Sequence, residues 1–185
     1  RPRGHVLQVT NGEGDTPAQA AAGALAEAAE LVAAERAAAD EWGSAEELAA
    51  RHGPGAVIAP EALEPAGLPG RDALRVAWRA GRDLASGEAV LVPAHAVHVP
   101  PAGGPWLGPA AVRWTSNGMG AGRGAAAAVL HGLLEAVERD RVARALPEGF
   151  TAGELGRRLL DPASLDRAAP RTAALAGRIE QAGLR

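Results

Sequence analysis

Two pairs of glutamates, Glu27/Glu30 and Glu135/Glu138, each sit three residues apart in an alanine-rich stretch. Residues at that spacing share one face of a helix, so each pair presents two carboxylates in the same direction. Bringing two such pairs face to face places four negative charges in one cavity, which is unstable without cations. Mg2+ suits that donor set, being hard, octahedral and held by a few carboxylates together with phosphate oxygens. Glu-x-x-Glu is also the ordinary pattern of a solvated helix face, so spacing alone leaves both readings open.

Other residues near these pairs could take part in the same chemistry. Arg139 and Asp140 follow Glu138 directly. An arginine there either reaches a phosphate or forms a surface ion pair of little worth. His131 lies one turn before Glu135 and reads as a base, a ligand or, more commonly, a packed helical histidine. The run Asn117-Gly118-Met119-Gly120-Ala121-Gly122 precedes a helix. Its backbone N–H groups and the helix N-terminus could cradle phosphate, or it is an ordinary strand-to-helix turn. It is neither a P-loop, since no lysine follows, nor G-x-G-x-x-G, since its glycines fall at 118, 120 and 122. Ser116 lacks the G-x-S-x-G setting of a nucleophile elbow. His95 and His98 have no second ligand pair nearby, so no zinc site is expected.

Composition narrows the classes further. The 185 residues suit one domain, and 47% hydrophobic with 22% charged residues indicates a globular chain. Alanine supplies about half of that apolar content and aromatics only 3%. Such a core buries little area per side chain, so the chain is expected to lean on a further segment or a partner. The net charge of -3 offers no field for nucleic acid or an anionic membrane surface. The absence of cysteine excludes disulfides, thiolate metal sites and a cysteine nucleophile. All 19 basic residues are arginine, which excludes Schiff-base chemistry. No run of 18 apolar residues and no signal peptide is visible, so the expected setting is cytoplasmic. A start at Arg1 and an end just after a helix-like stretch read as a fragment.

The elements that must position these residues read as mixed α and β. Residues 6–10 (VLQVT) are a strand candidate, and Asn11-Gly12 and Gly14 turn the chain. Thr16, Pro17 and Gln19 spell a capping box opening a helix to about Asp40. Ser44 caps a second helix to Arg51. A Pro/Gly-rich loop over 53–70 holds a short strand candidate at 56–59. Runs 74–78 and 89–92 flank a turn with Ser86-Gly87 and predict a hairpin. Residues 111–115 and 159–160 are further strand candidates, and helices are expected over 125–146 and 168–182, with Leu175, Ile179 and Ala182 on one side of the latter. A strand, an Asn-Gly turn and an Ala-rich helix with Glu-x-x-Glu occur twice, as two similar halves of one site, pairing Asn11-Gly12 with Asn117-Gly118.

These pieces together resemble the YcaO family. Residues 115–140, TSNGMGAGRGAAAAVLHGLLEAVERD, are similar to its signature SNGxAxGxxxxxAxxHxLxExxERD. Residues 10–30, TNGEGDTPAQAAAGALAEAAE, resemble its earlier motif TNGKGxTxxxAxxSALxExxE. Between them WRAGRDLASGEAVLVP, 78–93, resembles the linking hairpin WxxGxDLxSGxxVxVP. The fold this implies is an α+β (mixed α/β) YcaO-like fold, its N-terminal and central part, truncated at the C-terminus. It would be one partial domain over 1–185, with the first glutamate motif at 8–40, the hairpin at 74–99, the second motif at 115–146 and the start of a further portion at 158–185.

The resemblance implies ATP and Mg2+ as cofactors and phosphorylation of a peptide backbone amide oxygen. The product is an azoline when a substrate Cys, Ser or Thr attacks the amide carbon, or a thioamide when an external sulfur source does. It carries the metal ligands onto Glu27, Glu30, Glu135 and Glu138, and nucleotide contacts onto Ser116, Asn117 and Arg139. Two nucleotide-motif positions depart from the pattern: Glu13 replaces a lysine and Gly23 a serine, which admits a non-catalytic scaffold or peptide-binding protein as the alternative. Implied partners are a ribosomal precursor peptide, a leader-peptide-binding or sulfur-delivery protein and a second copy of the chain.

Overall fold

The computed structural model describes residues 9–99, 104–158 and 162–183. It divides into two compact units, 1–136 and 137–185, with the boundary inside a helix.

The first unit opens with α1 (Pro17–Glu35), capped as its sequence requires. The Thr16 side chain accepts from Gln19 N–H, and Gln19 accepts from Thr16 N–H. The helix stops five residues short of Asp40 because Asp40 is recruited elsewhere. Its N–H donates to Trp78 O at 2.8 Å, and its carboxylate accepts from Ala80 N–H and Arg79. The chain then forms β1 (Glu41–Gly43), a strand the local sequence does not announce, and α2 (Ala45–His52), opened by a Ser44/Glu47 capping box.

The expected hairpin is present as β2 (Val76–Arg82) and β3 (Ala89–Pro93). Its turn is held by Asp83, whose Oδ1 accepts from Ala85 and Ser86 N–H, with Gly87 at φ 76°. The sheet is antiparallel, ordered β1-β2-β3, with Trp78 opposite Glu41 on one side and Pro93 on the other. Trp78 is fully buried against Ala45, Leu48, Val76, Leu91 and Ala111, and its indole N–H donates to Gly43 O at 2.9 Å. That hydrogen bond lets a tryptophan occupy the core without stranding its polar atom.

Two strand candidates are not strands. At 56–59 the chain forms a 3-10 turn (Pro54–Ala56) and a single parallel bridge from Val57 to Leu91. Residues 111–115 are irregular, with a bend at Val112, and unpaired, because side chains take the place of a partner strand. Arg71 Nη1 donates to Ala111 O at 3.0 Å, and Arg113 N–H to Glu64 Oε2 at 3.2 Å. Arg71, itself buried, also reaches Leu68 O and Glu64 O, fastening the short helix α3 (Pro60–Leu63) and the loop after it to this run. The 6–10 candidate lies mostly outside the described residues, as do 159–160, and Val9 and Thr10 are irregular.

α4 (Ala125–Ala145) follows, crossing into the second unit, which also holds α5 (Ala152–Arg157), α6 (Pro162–Ala168) and α7 (Pro170–Gln181). Within that unit Glu154 is buried and paired with Arg157 and Arg158, which hold its carboxyl below the ordinary value. The core is as thin as an alanine-based composition implies: Gly132 is the one buried residue of α4 among those described, while Leu130, Leu133 and Leu134 stay half exposed.

Candidate functional site

The glycines explain how each turn meets its helix. A Cβ at Gly12 would strike Ala20 O and Ala24 N, and one at Gly120 would strike Ala128 O and lie 2.8 Å from Gly132 N. Likewise a Cβ at Gly14 would meet Gln19 Cβ and Ala20 N, and one at Gly122 would meet Ala127 Cβ and Ala128 N. Every partner in the second set lies 108 residues beyond its counterpart, as do Glu135 from Glu27 and Glu138 from Glu30. The repeat is therefore real, but its register is Gly12-Glu13-Gly14 with Gly120-Ala121-Gly122. Pairing Asn11-Gly12 with Asn117-Gly118 is corrected by two residues. The element common to both halves is a G-x-G whose missing side chains let backbone lie directly on helix.

Close docking brings turn amides to the glutamates. Asn11 N–H donates to Glu27 Oε2 at 2.7 Å and Gly118 N–H to Glu135 Oε2 at 3.2 Å. Ala121 N–H donates to Glu30 Oε1 at 2.5 Å, tying the second turn to the first helix across 91 residues of chain. Glu30 is largely buried, and His131 Nε2 of α4 stands 4.0 Å from its Oε1. Glu30 of the first helix thus lies beside the second turn, while Glu27 is held by the first turn and Glu135 by the second. Two amides read as a phosphate cradle donate instead to carboxylates, so the turns aim the acids. A carboxylate held by an N–H keeps one orientation, as outer-shell hydrogen bonds do for metal ligands.

The remaining residues fall as follows. Ser116 is half-buried at the start of the turn, its carbonyl accepting from Met119 N–H at 3.2 Å, and Asn117 N–H donates to Thr115 Oγ1 at 3.1 Å. Glu13 is exposed; Gly23 lies against its turn, where a Cβ would come within 3.2 Å of Gly12 Cα. His131 is 63% exposed, so the packed-histidine reading is corrected: its imidazole lies largely in solvent, with Nε2 4.0 Å from Glu30 Oε1. Glu138 and Arg139 are exposed on α4 in the second unit, where Asp140 pairs with Arg144 at 2.9 Å. His95 and His98 are held below their ordinary pKa by burial.

Among the described residues no three acidic or imidazole groups lie close enough to cage a metal by themselves. Mg2+ retains waters and phosphate oxygens and needs only one or two protein carboxylates. Hard oxygen donors in fixed orientations, with no sulfur ligand in the chain, fit such an ion. No helix among the described residues is long and apolar enough to cross a membrane.

The profile of the YcaO family, described as YcaO cyclodehydratase, ATP- and Mg2+-binding, matches residues 11–185. The chain belongs to the YcaO family, and ATP and Mg2+ are its cofactors. No curated protein and no solved structure shows significant similarity to the chain.

Proposed function

We propose that this protein uses Mg-ATP to phosphorylate a backbone amide oxygen of a ribosomally made peptide, in the cytoplasm, for azoline or thioamide formation. The observation that carries the reading is the Ala121-to-Glu30 hydrogen bond, which joins the turn of the second motif to a glutamate of the first. When bound, ATP supplies the phosphoryl group and Mg2+ offsets the charge on its oxygens. Glu27, Glu30, Glu135 and Glu138 would hold the cations. Ser116, Asn117 and Arg139 would orient the nucleotide, the arginine by bidentate contact with phosphate. No covalent nucleophile is required of the chain. Its contribution is to position and to neutralise, which is where phosphoryl transfer gains most.

Isothermal titration of the chain with Mg-ATP tests the site. Glu30→Gln and Glu135→Gln should each weaken binding at least about tenfold, as loss of a metal ligand does. Unchanged affinity in both would remove the cation role. Glu13 favours a second reading, a non-catalytic peptide-binding scaffold, since it sets an acidic group where the family pattern has a cation. Under that reading wild-type protein binds peptide with no measurable Mg-ATP affinity, and Glu13→Lys does not create one.

A further inference from the structure

A half-open cavity of about 440 Å³ lies in the first unit beside the second glutamate motif. Leu63, Ala96, Val112 and Trp114 supply an apolar lining, and Thr115 and Asn117 bring in the start of the second motif. Asn117 immediately precedes Gly118, whose N–H holds Glu135. The cavity therefore begins one residue before the amide that holds a proposed cation ligand, Glu135. Glu64 and Arg113 also line it, as an ion pair at its exposed rim. The Glu64 carboxylate is shared between Arg71 and Arg113, and Arg113 chiefly, through its side-chain hydrogen bond, holds the Glu64 pKa below its ordinary value. Four apolar residues on its wall suit a hydrophobic group.

We infer that this cavity receives an apolar side chain of the substrate peptide, next to the residue whose amide is activated. This rests on the peptide-phosphorylating reading above. The amide being phosphorylated must come within bonding reach of the terminal phosphate, so the peptide must run alongside the carboxylates that hold its cation. A purine, separated from that phosphate by a ribose and two further phosphates, is under no such constraint. At about 30 Å³ for each water displaced, the cavity holds about 15 non-hydrogen atoms, one large side chain with its backbone.

The test is a tryptophan-fluorescence titration of the whole chain, with and without Mg-ATP, using acetyl-Leu-Cys-Leu-amide and acetyl-Gln-Cys-Gln-amide as probes. The leucine peptide should bind about tenfold tighter, and its signal should vanish in W114F. Leu63 is 44% exposed, so Leu63→Asp should fold, as circular dichroism will verify, and should abolish the preference while leaving Mg-ATP affinity within about twofold. Equal binding of the two peptides, or no binding of either, overturns the inference. So does a loss of Mg-ATP affinity in Leu63→Asp, which would assign the cavity to the nucleotide base. Failure of the wild-type chain to bind Mg-ATP refutes the nucleotide reading separately, because the peptide titration is also read without nucleotide.

Discussion

Replacing Gly132 by alanine sets two physical effects against each other. In a helix interior the change is worth about 1 kcal/mol of stability through propensity alone. The fold opposes it, since a Cβ at 132 would lie 2.8 Å from Gly118 C, closer still to Gly118 O, and 3.2 Å from Met119 O. These are backbone atoms, so relief requires the whole turn to lift from α4 by about 1 Å, at an overpacking cost of about 1–3 kcal/mol. The lift also strains the Gly118-to-Glu135 hydrogen bond, a charge-assisted contact worth about 1.5–3 kcal/mol. The net expectation is a loss of about 1–3 kcal/mol, or about 2–10 °C in Tm. Mg-ATP affinity should fall by about tenfold as Glu135 loses its orientation. Gly177 in α7 is the control, because nothing lies within 4 Å of its Cβ position. Gly177→Ala should gain up to about 1 kcal/mol. The assay is paired thermal unfolding and Mg-ATP titration. If G132A rises in Tm as G177A does, the docking of turn on helix is refuted.

Arg71→Met should cost at least about 2 kcal/mol in urea unfolding, since a buried guanidinium that satisfies three carbonyls is lost; a change under about 0.5 kcal/mol would remove its fastening role. Burial lowers the pKa of His98, against a backbone contact at Ala34 and the Asp40 carboxylate that raise it. The unfolded chain then takes up a proton that the fold resists, so stability is full above the model-peptide value of 6.5 and falls as pH drops through and below it. His98→Phe should flatten that part of a Tm-against-pH curve, and an unchanged slope would clear His98. Saturating Mg-ATP at about 100 times its Kd should raise stability by about 2.7 kcal/mol. EDTA should abolish the shift; a shift that survives EDTA would mean nucleotide binding without the cation.

Several elements were legible because their causes are local. Thr16-Pro17-x-Gln19 and Ser44-x-x-Glu47 start helices by satisfying their own first amides, and both capping boxes are formed. Asp83 and Gly87 build their turn from neighbours within five residues, so the hairpin followed from its own sequence. The glutamate spacing likewise fixed which carboxylates share a face. The misread elements depend on distant groups. Asp40 leaves the helix because Trp78, Arg79 and Ala80 bind it, and residues 111–115 remain unpaired because Arg71 and Glu64 occupy their polar atoms.

What the sequence determined by itself was the inventory: four acids at helical spacing, two glycine-rich turns and the motifs that identify the YcaO family. Tertiary structure alone decided that Ala121 N–H reaches Glu30, that His131 stands exposed beside Glu30 and that the two halves align on G-x-G. The reason is steric. Glycine records only that a side chain is absent, and the backbone that fills the space comes from elsewhere in the fold.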